Sequence, residues 1–164
     1  MRKVIIADAS PLIALARIDR LSLLKSIFSH IIIPYAVRDE LKMDSTKPGA
    51  GKLLAAEKEG WLKTVDIKPH NLKLDLDQGE IEAIALALQV SSDFLLIDER
   101  KGRRAAIKHG IHVLGSARVF IAAKEKGLLV KVMPEIDKLA KAGYRLSDDI
   151  IERIKILSGE MNNN

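Results

Sequence analysis

The segment Val4-Ile5-Ile6-Ala7-Asp8-Ala9-Ser10-Pro11 contains the unit from which the fold is built, an apolar strand that leads directly into a helix. Its β-branched run predicts a strand over Val4–Ala7. Ser10 is a favourable residue for a helix N-cap, and Pro11 for a first helical position. Asp8 would then lie at the carboxyl end of the strand, where open α/β sheets build binding sites. Asp8 also suits a turn or a cap, so its role depends on which other acids lie near it.

Short apolar runs alternate with helical patterns along most of the chain. The predicted strands are Val4–Ala7, Ile31–Ile33, Leu62–Val65, Phe94–Ile97 and His112–Leu114. The predicted helical segments between them are Leu12–Phe28, Pro34–Lys42, Gly51–Lys58, Gln78–Val90 and Lys101–His109. This alternation predicts an α/β fold in which a central parallel sheet carries helices on both faces, a three-layer α/β/α sandwich.

After Gly115 the pattern is wholly helical. Three further helices are predicted over Ser116–Lys126, Met133–Lys141 and Ser147–Leu157. Gly127 and Gly143 follow two of them at C-cap positions, and Ser147 is the expected N-cap of the last. We therefore expect one domain over residues 1–160, with a helical C-terminal extension over 127–160 and a disordered tail over 161–164.

Composition is typical of a globular protein of the cytoplasm. Of the 164 residues, 48% are hydrophobic and 30% are charged, which is ordinary for one soluble domain with a full core. The absence of cysteine excludes disulfides, thiolate metal ligands and a cysteine nucleophile. Because the sequence has neither a signal-peptide pattern nor an apolar run of about 20 residues, we expect no membrane association. The formal net charge of +5 permits a polyanionic partner without requiring one.

Two predicted helices carry acids that can face the end of the first strand. Glu40 neighbours the apolar stripe of its helix, although Asp39 is an alternative and either acid would also suit an exposed surface. Glu80 opens the alanine-rich helix three residues after Asp77, which is the spacing of a capping box. The same geometry lets Glu80 face a site at the edge of the sheet, whereas Glu82 is expected to point elsewhere.

A second strand-end acid, Asp98, directly precedes a basic segment. Asp98 can form an ion pair with Arg100, or it can meet Asp8 in one crevice if their strands are neighbours where the strand order reverses. Eight positive residues and one negative residue lie from Arg100 to Lys126. Such a run is often a solvated helix face, but its position after Asp98 favours contact with phosphates. The residues expected to bind substrate are Arg100, Lys101, Arg103 and Arg104.

Asp8, Glu40, Glu80 and Asp98 together suggest a metal site. Carboxylates gathered in a cleft repel one another unless a cation neutralises them, and oxygen ligands without thiolates favour Mg²⁺ or Mn²⁺. Such an ion activates water and stabilises the leaving oxygen in phosphodiester hydrolysis. The four histidines show no metal-ligand spacing. Ser10 is not part of a Gly-x-Ser-x-Gly turn, the strained turn that presents a nucleophilic serine. We therefore expect Ser10 to support Asp8 as a hydrogen-bonding partner.

Several stretches of the chain resemble the PIN-domain family, and in particular its small prokaryotic subgroup related to VapC-type toxins. They are Asp8-Ala9-Ser10-Pro11-Leu12-Ile13, Gly79-Glu80-Ile81-Glu82-Ala83-Ile84-Ala85-Leu86-Ala87 and Gly143-Tyr144-Arg145-Leu146-Ser147. The resemblance extends over nearly every element from Arg2 to about Glu160. The chain departs from many PIN domains in having Glu80 where they have an aspartate.

This resemblance implies a three-layer α/β/α fold and a ribonuclease activity that depends on Mg²⁺ or Mn²⁺. Asp8, Glu40, Glu80 and Asp98 would be both the metal ligands and the catalytic acids, with Ser10 beside them. VapC-type relatives are toxins that cleave RNA, are inhibited by an antitoxin protein and often form dimers. The expected partners are therefore RNA, an antitoxin and a second copy of the chain.

Our leading hypothesis is a metal-dependent endoribonuclease, the toxin of a toxin–antitoxin pair. The alternative is a catalytically silent module on the same fold that binds nucleic acid or protein, which predicts salt-sensitive RNA binding without cleavage. A third interpretation is phosphoryl transfer with Asp8 as the nucleophile, as in haloacid-dehalogenase-like enzymes. Those enzymes need a second aspartate two residues later, where Ser10 stands.

Overall fold

Residues 3–161, the part of the chain that the computed structural model describes, form a five-stranded parallel sheet. Its strands are β1 (Ile5–Ala7), β2 (Ile31–Pro34), β3 (Leu62–Val65), β4 (Phe94–Leu96) and β5 (Val113–Leu114). Each predicted strand is present, with ends that differ from expectation by one residue or none. Helices cover both faces of the sheet, so the predicted α/β/α sandwich is confirmed.

The order of the strands in the sheet is β3-β2-β1-β4-β5. The chain adds β2 and β3 on one side of β1, and then returns to add β4 and β5 on the other side. The order therefore reverses between β1 and β4, and the carboxyl ends of these two strands border the crevice in which α/β sheets bind ligands. Ala7 pairs with Leu96, so Asp8 and Asp98 leave the sheet at the same edge.

Nine helices within residues 3–161 connect and follow the strands. They are α1 (Ala9–Arg17), α2 (Ser22–Phe28), α3 (Tyr35–Leu41), α4 (Ala50–Glu59), α5 (Gln78–Gln89), α6 (Arg100–Lys108), α7 (Ser116–Glu125), α8 (Met133–Lys141) and α9 (Asp148–Ser158). Helix α5 lies against β1, β2 and β4, and its alanines Ala83, Ala85 and Ala87 are buried. Because a helix that connects parallel strands begins at their carboxyl ends, this close packing places the first turn of α5 near Asp8.

The start of α1 differs from its prediction. The helix begins at Ala9, so Asp8 occupies the N-cap in an extended conformation, and Ser10 and Pro11 lie within the first turn. The expectation that Ser10 is the N-cap is therefore wrong. Pro11 is tolerated in this turn because the first N–H groups of a helix have no carbonyl partner within it.

The expectation of one continuous helical segment over Leu12–Phe28 is also wrong, because α1 and α2 are separate helices. Helix α1 ends in a Schellman motif, in which the Arg20 N–H donates to the Leu15 carbonyl at 2.8 Å. Asp19 takes the left-handed conformation that this motif requires, with a φ of 61°. Aspartate tolerates this conformation better than most residues, so no glycine marks the break in the sequence.

The helices after β5 agree with expectation. Gly127 (φ 74°) and Gly143 (φ 98°) follow α7 and α8 in the left-handed region, as C-terminal glycines do. The Ser147 hydroxyl accepts a hydrogen bond from the Ile150 N–H at 3.4 Å and so caps α9. In the described part of the chain, no helix has the length and apolar character needed to cross a membrane.

The residues after α9 are anchored through Glu160. Its carboxylate accepts hydrogen bonds from the Val132 N–H at 2.8 Å and the Met133 N–H at 3.0 Å, and from the Lys124 ammonium at 2.9 Å. These hydrogen bonds attach the segment after α9 to the first residues of α8. Of the tail expected over 161–164, Met161 is exposed and residues 162–164 lie outside the described residues.

Candidate functional site

The four acids predicted from the sequence lie around the reversal point between β1 and β4. Asp8 directly follows β1, and Asp98 lies two residues beyond β4. Glu40 is in the last turn of α3, and Glu80 is in the first turn of α5, which packs against α3. The topology therefore brings these acids to one edge of the sheet, although the first and last are ninety positions apart in the chain.

Asp8 is the most enclosed acid of this group, with 3% of its surface exposed. Its Oδ1 atom is buried and has no hydrogen-bond partner within the described residues. Burial raises the pKa of Asp8 to about 7, although the Ala9 N–H opposes this change. The negative charges of Asp77, Glu40 and Asp98 also raise this pKa. An anion enclosed in this way is unfavourable unless a proton or a cation neutralises it.

Glu80 is likewise buried, with 7% of its surface exposed. The pKa of Glu80 is raised to about 8. Burial is the largest cause, followed by a hydrogen bond with Asp77 and by the negative charge of Asp77. The charge of Asp8 adds a smaller contribution to the same pKa. The charge of Asp8 therefore opposes the ionisation of Glu80, and enclosed acids with raised pKa values such as these two cluster at functional sites.

Two glycines provide the space that Glu40 and Glu80 need. A Cβ atom at Gly79 would lie 2.9 Å from the Cδ atom of Glu40. A Cβ atom at Gly102 would lie 2.6 Å from Cδ1 of Ile97 and 3.1 Å from Oε2 of Glu80. Neither glycine has a positive φ, so each is required for close approach rather than for an unusual backbone conformation.

Glu40 is an exposed residue, but its carboxylate packs against the start of α5. Burial of this carboxylate raises the pKa of Glu40, and the charge of Asp77 raises it further. The Gly79 N–H opposes both effects on that pKa. Glu40 is thus an anion held beside other anions.

Asp98 is held by the start of α7 rather than by an arginine. Its Oδ1 accepts a hydrogen bond from the Ser116 N–H at 2.8 Å, and its Oδ2 accepts one from the Ser116 hydroxyl at 2.5 Å. Among the ion pairs of the described residues, none joins Asp98 to Arg100. In the sequence, Ser116 is only the first residue of a predicted helix, and no local motif connects it to Asp98.

Asp77, which the sequence predicts only as a helix cap, also lies at this edge of the sheet. Its Oδ1 accepts a hydrogen bond from the Glu80 N–H at 2.8 Å, which confirms the cap. Its charge also raises the pKa values of Asp8, Glu40 and Glu80, so it belongs to the same group of carboxylates. The capping-box spacing was a usable signal, because it places Asp77 and Glu80 at one helix start and hence at one edge of the sheet.

The competing acids Asp39 and Glu82 lie outside this group. As expected, Glu82 is directed elsewhere: its Oε2 accepts a hydrogen bond from the Ala36 N–H at 3.1 Å and so joins α5 to the start of α3. Asp39 is exposed, and its charge is not among those that raise the pKa values of Asp8, Glu40 and Glu80. Ser10 is exposed in the first turn of α1, and its support of Asp8 stays a prediction.

The carboxylate oxygens of the four acids are of the type that a hard divalent cation binds, but their positions do not form a complete ligand shell. No three carboxylate or imidazole side chains within residues 3–161 are arranged to hold one metal ion together. The structure does provide oxygen donors whose charges oppose one another, and one buried donor, Asp8 Oδ1, that has no partner. Oxygen donors of this kind suit Mg²⁺ or Mn²⁺, and a cation would relieve their repulsion once the side chains approach more closely.

A groove of about 460 Å³ begins at Asp98 and runs between α6, α7 and α9. Arginines line this groove together with aliphatic side chains. The arginines are Arg100, Arg103, Arg104, Arg118 and Arg153. A Cβ atom at Gly115 would lie 3.0 Å from Asp98 Oδ1 and 3.1 Å from Arg103 Nη1, so the Arg103 guanidinium is close to the acid. We call this surface the arginine groove.

Of the four residues expected to bind substrate, Lys101 differs from the other three. Arg100, Arg103 and Arg104 line the arginine groove. Lys101 instead forms an ion pair with Asp75 at 2.5 Å, on the segment that precedes α5. The structure therefore groups the three arginines and separates the lysine from them.

Comparison with known proteins agrees with this architecture. A family model described as a PIN domain (DUF3368) matches residues 4–160, which include all the strands and helices given above. No curated protein and no solved structure matches the chain. PIN domains are generally nucleases. The chain belongs to the PIN-domain family.

Proposed function

We propose that this PIN domain is an endoribonuclease that depends on Mg²⁺ or Mn²⁺, with Asp8, Glu40, Glu80 and Asp98 as metal ligands and catalytic acids. The observation that carries the proposal is the state of Asp8, which is enclosed at the reversal point with an unpartnered oxygen and like charges beside it. Proteins retain such costly arrangements mainly where function requires them. When bound, the ion would supply an activated water and neutralise charge on the leaving oxygen.

The acids, Ser116 and the arginines have different roles in this proposal. Asp8 takes the central place, because it is the most enclosed of the four acids and the charges of Glu40 and Asp98 act on it. Ser116 fixes the orientation of the Asp98 carboxylate through two hydrogen bonds. The Arg103 guanidinium lies near Asp98, where it can hold the phosphate whose ester bond is cleaved. Arg100 and Arg104 extend the positive surface away from the acids.

The proposal extends to the biological partners. The resemblance to VapC-type relatives supports a toxin of a toxin–antitoxin pair, with RNA as substrate, an inhibiting antitoxin protein, a homodimer and a cytoplasmic location. The arginine groove supports a polyanionic substrate, since guanidinium groups bind phosphate oxygens through paired hydrogen bonds.

The direct test is incubation of the purified protein with total RNA in Mg²⁺ or Mn²⁺, beside an Asp8→Asn variant and a sample containing a chelator. We expect RNA fragments from the wild type with a divalent ion, and none from the variant or the chelated sample. Equal cleavage by the variant would contradict the proposed site. A parallel incubation with single-stranded DNA distinguishes a ribonuclease from a general nuclease.

A catalytically silent binding module is the second candidate, and one observation favours it. No three acids within the described residues converge on a single ion position. Such a module predicts RNA binding that weakens steeply with salt and no cleavage with any divalent ion. Calorimetric titration with Mn²⁺ separates the two candidates, because the nuclease requires a Mn²⁺ site that the Asp8→Asn variant lacks.

A further inference from the structure

A second basic depression lies across the acids from the arginine groove. It is a cavity of about 240 Å³ lined by residues of α1, α3, α4 and the segment that precedes α4. Arg17 and Lys47 line it together with Glu40, whereas the arginine groove is lined by Asp98. Glu40 is on the β2 side of β1 and Asp98 is on the β4 side, so positively charged depressions flank Asp8 in both directions. We call the second one the Arg17–Lys47 cavity.

Lys47 is held at this cavity by the packing of Gly49 on α1. Gly49 has a φ of 85°, which side chains rarely adopt. A Cβ atom at this position would lie 2.9 Å from Cβ of Ala16 and 3.1 Å from N of Arg17. The backbone of Gly49 therefore rests directly on α1, and the preceding Lys47-Pro48 pair is kept beside Arg17.

Arg17 contacts Tyr144, a residue of the Gly143–Ser147 motif. The proposed nuclease chemistry gives this motif no other role. The Arg17 guanidinium lies over the ring of Tyr144, with its carbon 5.9 Å from the ring centre. Leu146 of the same motif lines the arginine groove. The motif thus contributes to both basic depressions, through Tyr144 at one and Leu146 at the other.

The two cations of the Arg17–Lys47 cavity are not neutralised by the fold. Neither Arg17 nor Lys47 takes part in an ion pair within residues 3–161. Glu40 shares the cavity, but the charges that act on its pKa are those of Asp77 and Lys42. Arg17 and Lys47 thus line one concave surface without an ion pair among the described residues, and such a pair of cations favours an anionic ligand.

We propose that Arg17 and Lys47 bind a backbone phosphate of the RNA strand on the side of the cleavage point opposite to the arginine groove, and that Tyr144 is a positioning residue for Arg17. This inference rests on the proposed ribonuclease function. Its physical reason is electrostatic, because a strand that reaches Asp8 must cross a group of carboxylates that repel its phosphates. Cations on one side of the acids would bind only one half of the RNA strand. Cations on both sides bind both halves and so keep the strand in place over the acids.

The test compares cleavage by the wild type with cleavage by the double variant Arg17→Gln/Lys47→Gln, using a single-stranded RNA oligonucleotide cut at one position. We expect the KM of the double variant to rise about tenfold while kcat changes less than about twofold, because the lost contacts hold substrate away from the reacting bond. The rise in KM should disappear for oligonucleotides shortened from one end only. The matched control is Lys52→Gln, which removes a positive charge from α4 where Lys52 pairs with Asp19.

A KM for the double variant equal to that of Lys52→Gln would overturn the inference, as would an effect that is the same for oligonucleotides shortened from either end. The positioning role is tested separately by Tyr144→Leu and Tyr144→Phe. The leucine variant should raise KM part of the way towards that of the double variant, and the phenylalanine variant, which keeps the ring, should restore the wild-type value. Equal KM values for both Tyr144 variants would remove Tyr144 from the proposal.

Failure of the proposed function has a different outcome. If the wild type cleaves no RNA, binding of a fluorescent single-stranded RNA is measured without divalent ions at several salt concentrations. The inference then requires that the double variant reduce the slope of log affinity against log salt by about 0.7, which corresponds to one phosphate contact. Equal slopes for the double variant and the wild type would overturn the phosphate site on its own.

Discussion

Gly79 lies so close to Glu40 that a Cβ atom at residue 79 would stand 2.9 Å from the carboxyl carbon of Glu40. The first turn of α5 and the last turn of α3 therefore meet through a glycine backbone and a carboxylate. This contact determines where the Glu40 carboxylate lies relative to Asp77, whose charge acts on it. Glycine at this position serves the placement of an acid and not the stability of the helix.

The Gly79→Ala variant should accordingly separate stability from activity. Alanine in the first turn of α5 favours the helix by up to about 1 kcal/mol, and the flexible Glu40 can move aside, so we expect thermal unfolding at or above the wild-type temperature. RNA cleavage should fall about tenfold or more because Glu40 is displaced. Gly51→Ala in α4 is the matched control, since its added Cβ meets no atom within 4 Å. Equal activities of the two alanine variants would contradict this account.

The Asp8→Asn variant should be more stable than the wild type in the absence of divalent ions. The substitution removes a buried anion with an unpartnered oxygen, and Asp8 makes no side-chain cap hydrogen bond that would be lost. We expect a gain of about 1–2 kcal/mol in the free energy of unfolding, measured by urea denaturation at neutral pH. Addition of Mn²⁺ should stabilise the wild type and leave the variant unchanged. A loss of stability in the variant would show that Asp8 is structural.

The Ser116→Ala variant tests the orientation of Asp98. It removes the hydrogen bond from the Ser116 hydroxyl to Asp98 Oδ2 while keeping the backbone bond to Oδ1. We expect a loss of about 1 kcal/mol of stability and a several-fold decrease in kcat with KM nearly unchanged. Ser158→Ala also removes a hydrogen bond of a serine hydroxyl, to the Lys155 carbonyl at 3.2 Å, at a distance from the acids. If Ser158→Ala lowers kcat as much as Ser116→Ala, the loss reflects stability and not orientation.

The Glu160→Gln variant should lose stability in a pH-dependent way. Burial by itself would raise the pKa of Glu160, but the Met133 and Val132 N–H groups and the Lys124 ammonium lower this pKa to about 2 from an ordinary value of 4.5. A carboxyl group whose pKa is lowered by folding stabilises the fold at pH values above its pKa in the unfolded chain. This stabilisation is lost as the pH falls through the pKa of the group in the folded chain. We therefore expect the variant to be less stable by about 1–2 kcal/mol at pH 7, with the difference shrinking between pH 4.5 and 2. A difference that does not vary with pH would show that the carboxylate charge is not responsible.

Where sequence reasoning was wrong, the errors arose from particular residues. Asp19 ends α1 in a conformation that glycine usually supplies, so the break between α1 and α2 had no local marker. Asp8 takes the N-cap position that Ser10 was expected to occupy, because α1 begins immediately after β1. Both residues have several local roles of similar energy, and packing of α1 on the sheet selects among them.

The sequence by itself determined the alternation of strands and helices, the placement of Asp8 and Asp98 at strand ends, and the caps at Asp77 and Ser147. These features depend on residues within a few positions of one another, so periodicity and residue type are sufficient to predict them. The tertiary structure alone decided that β4 lies beside β1, that Ser116 binds Asp98, and that two glycines admit Glu40 and Glu80 to the edge of the sheet. These contacts join residues far apart in the chain, and they form only when the packing of the whole core has selected one strand order.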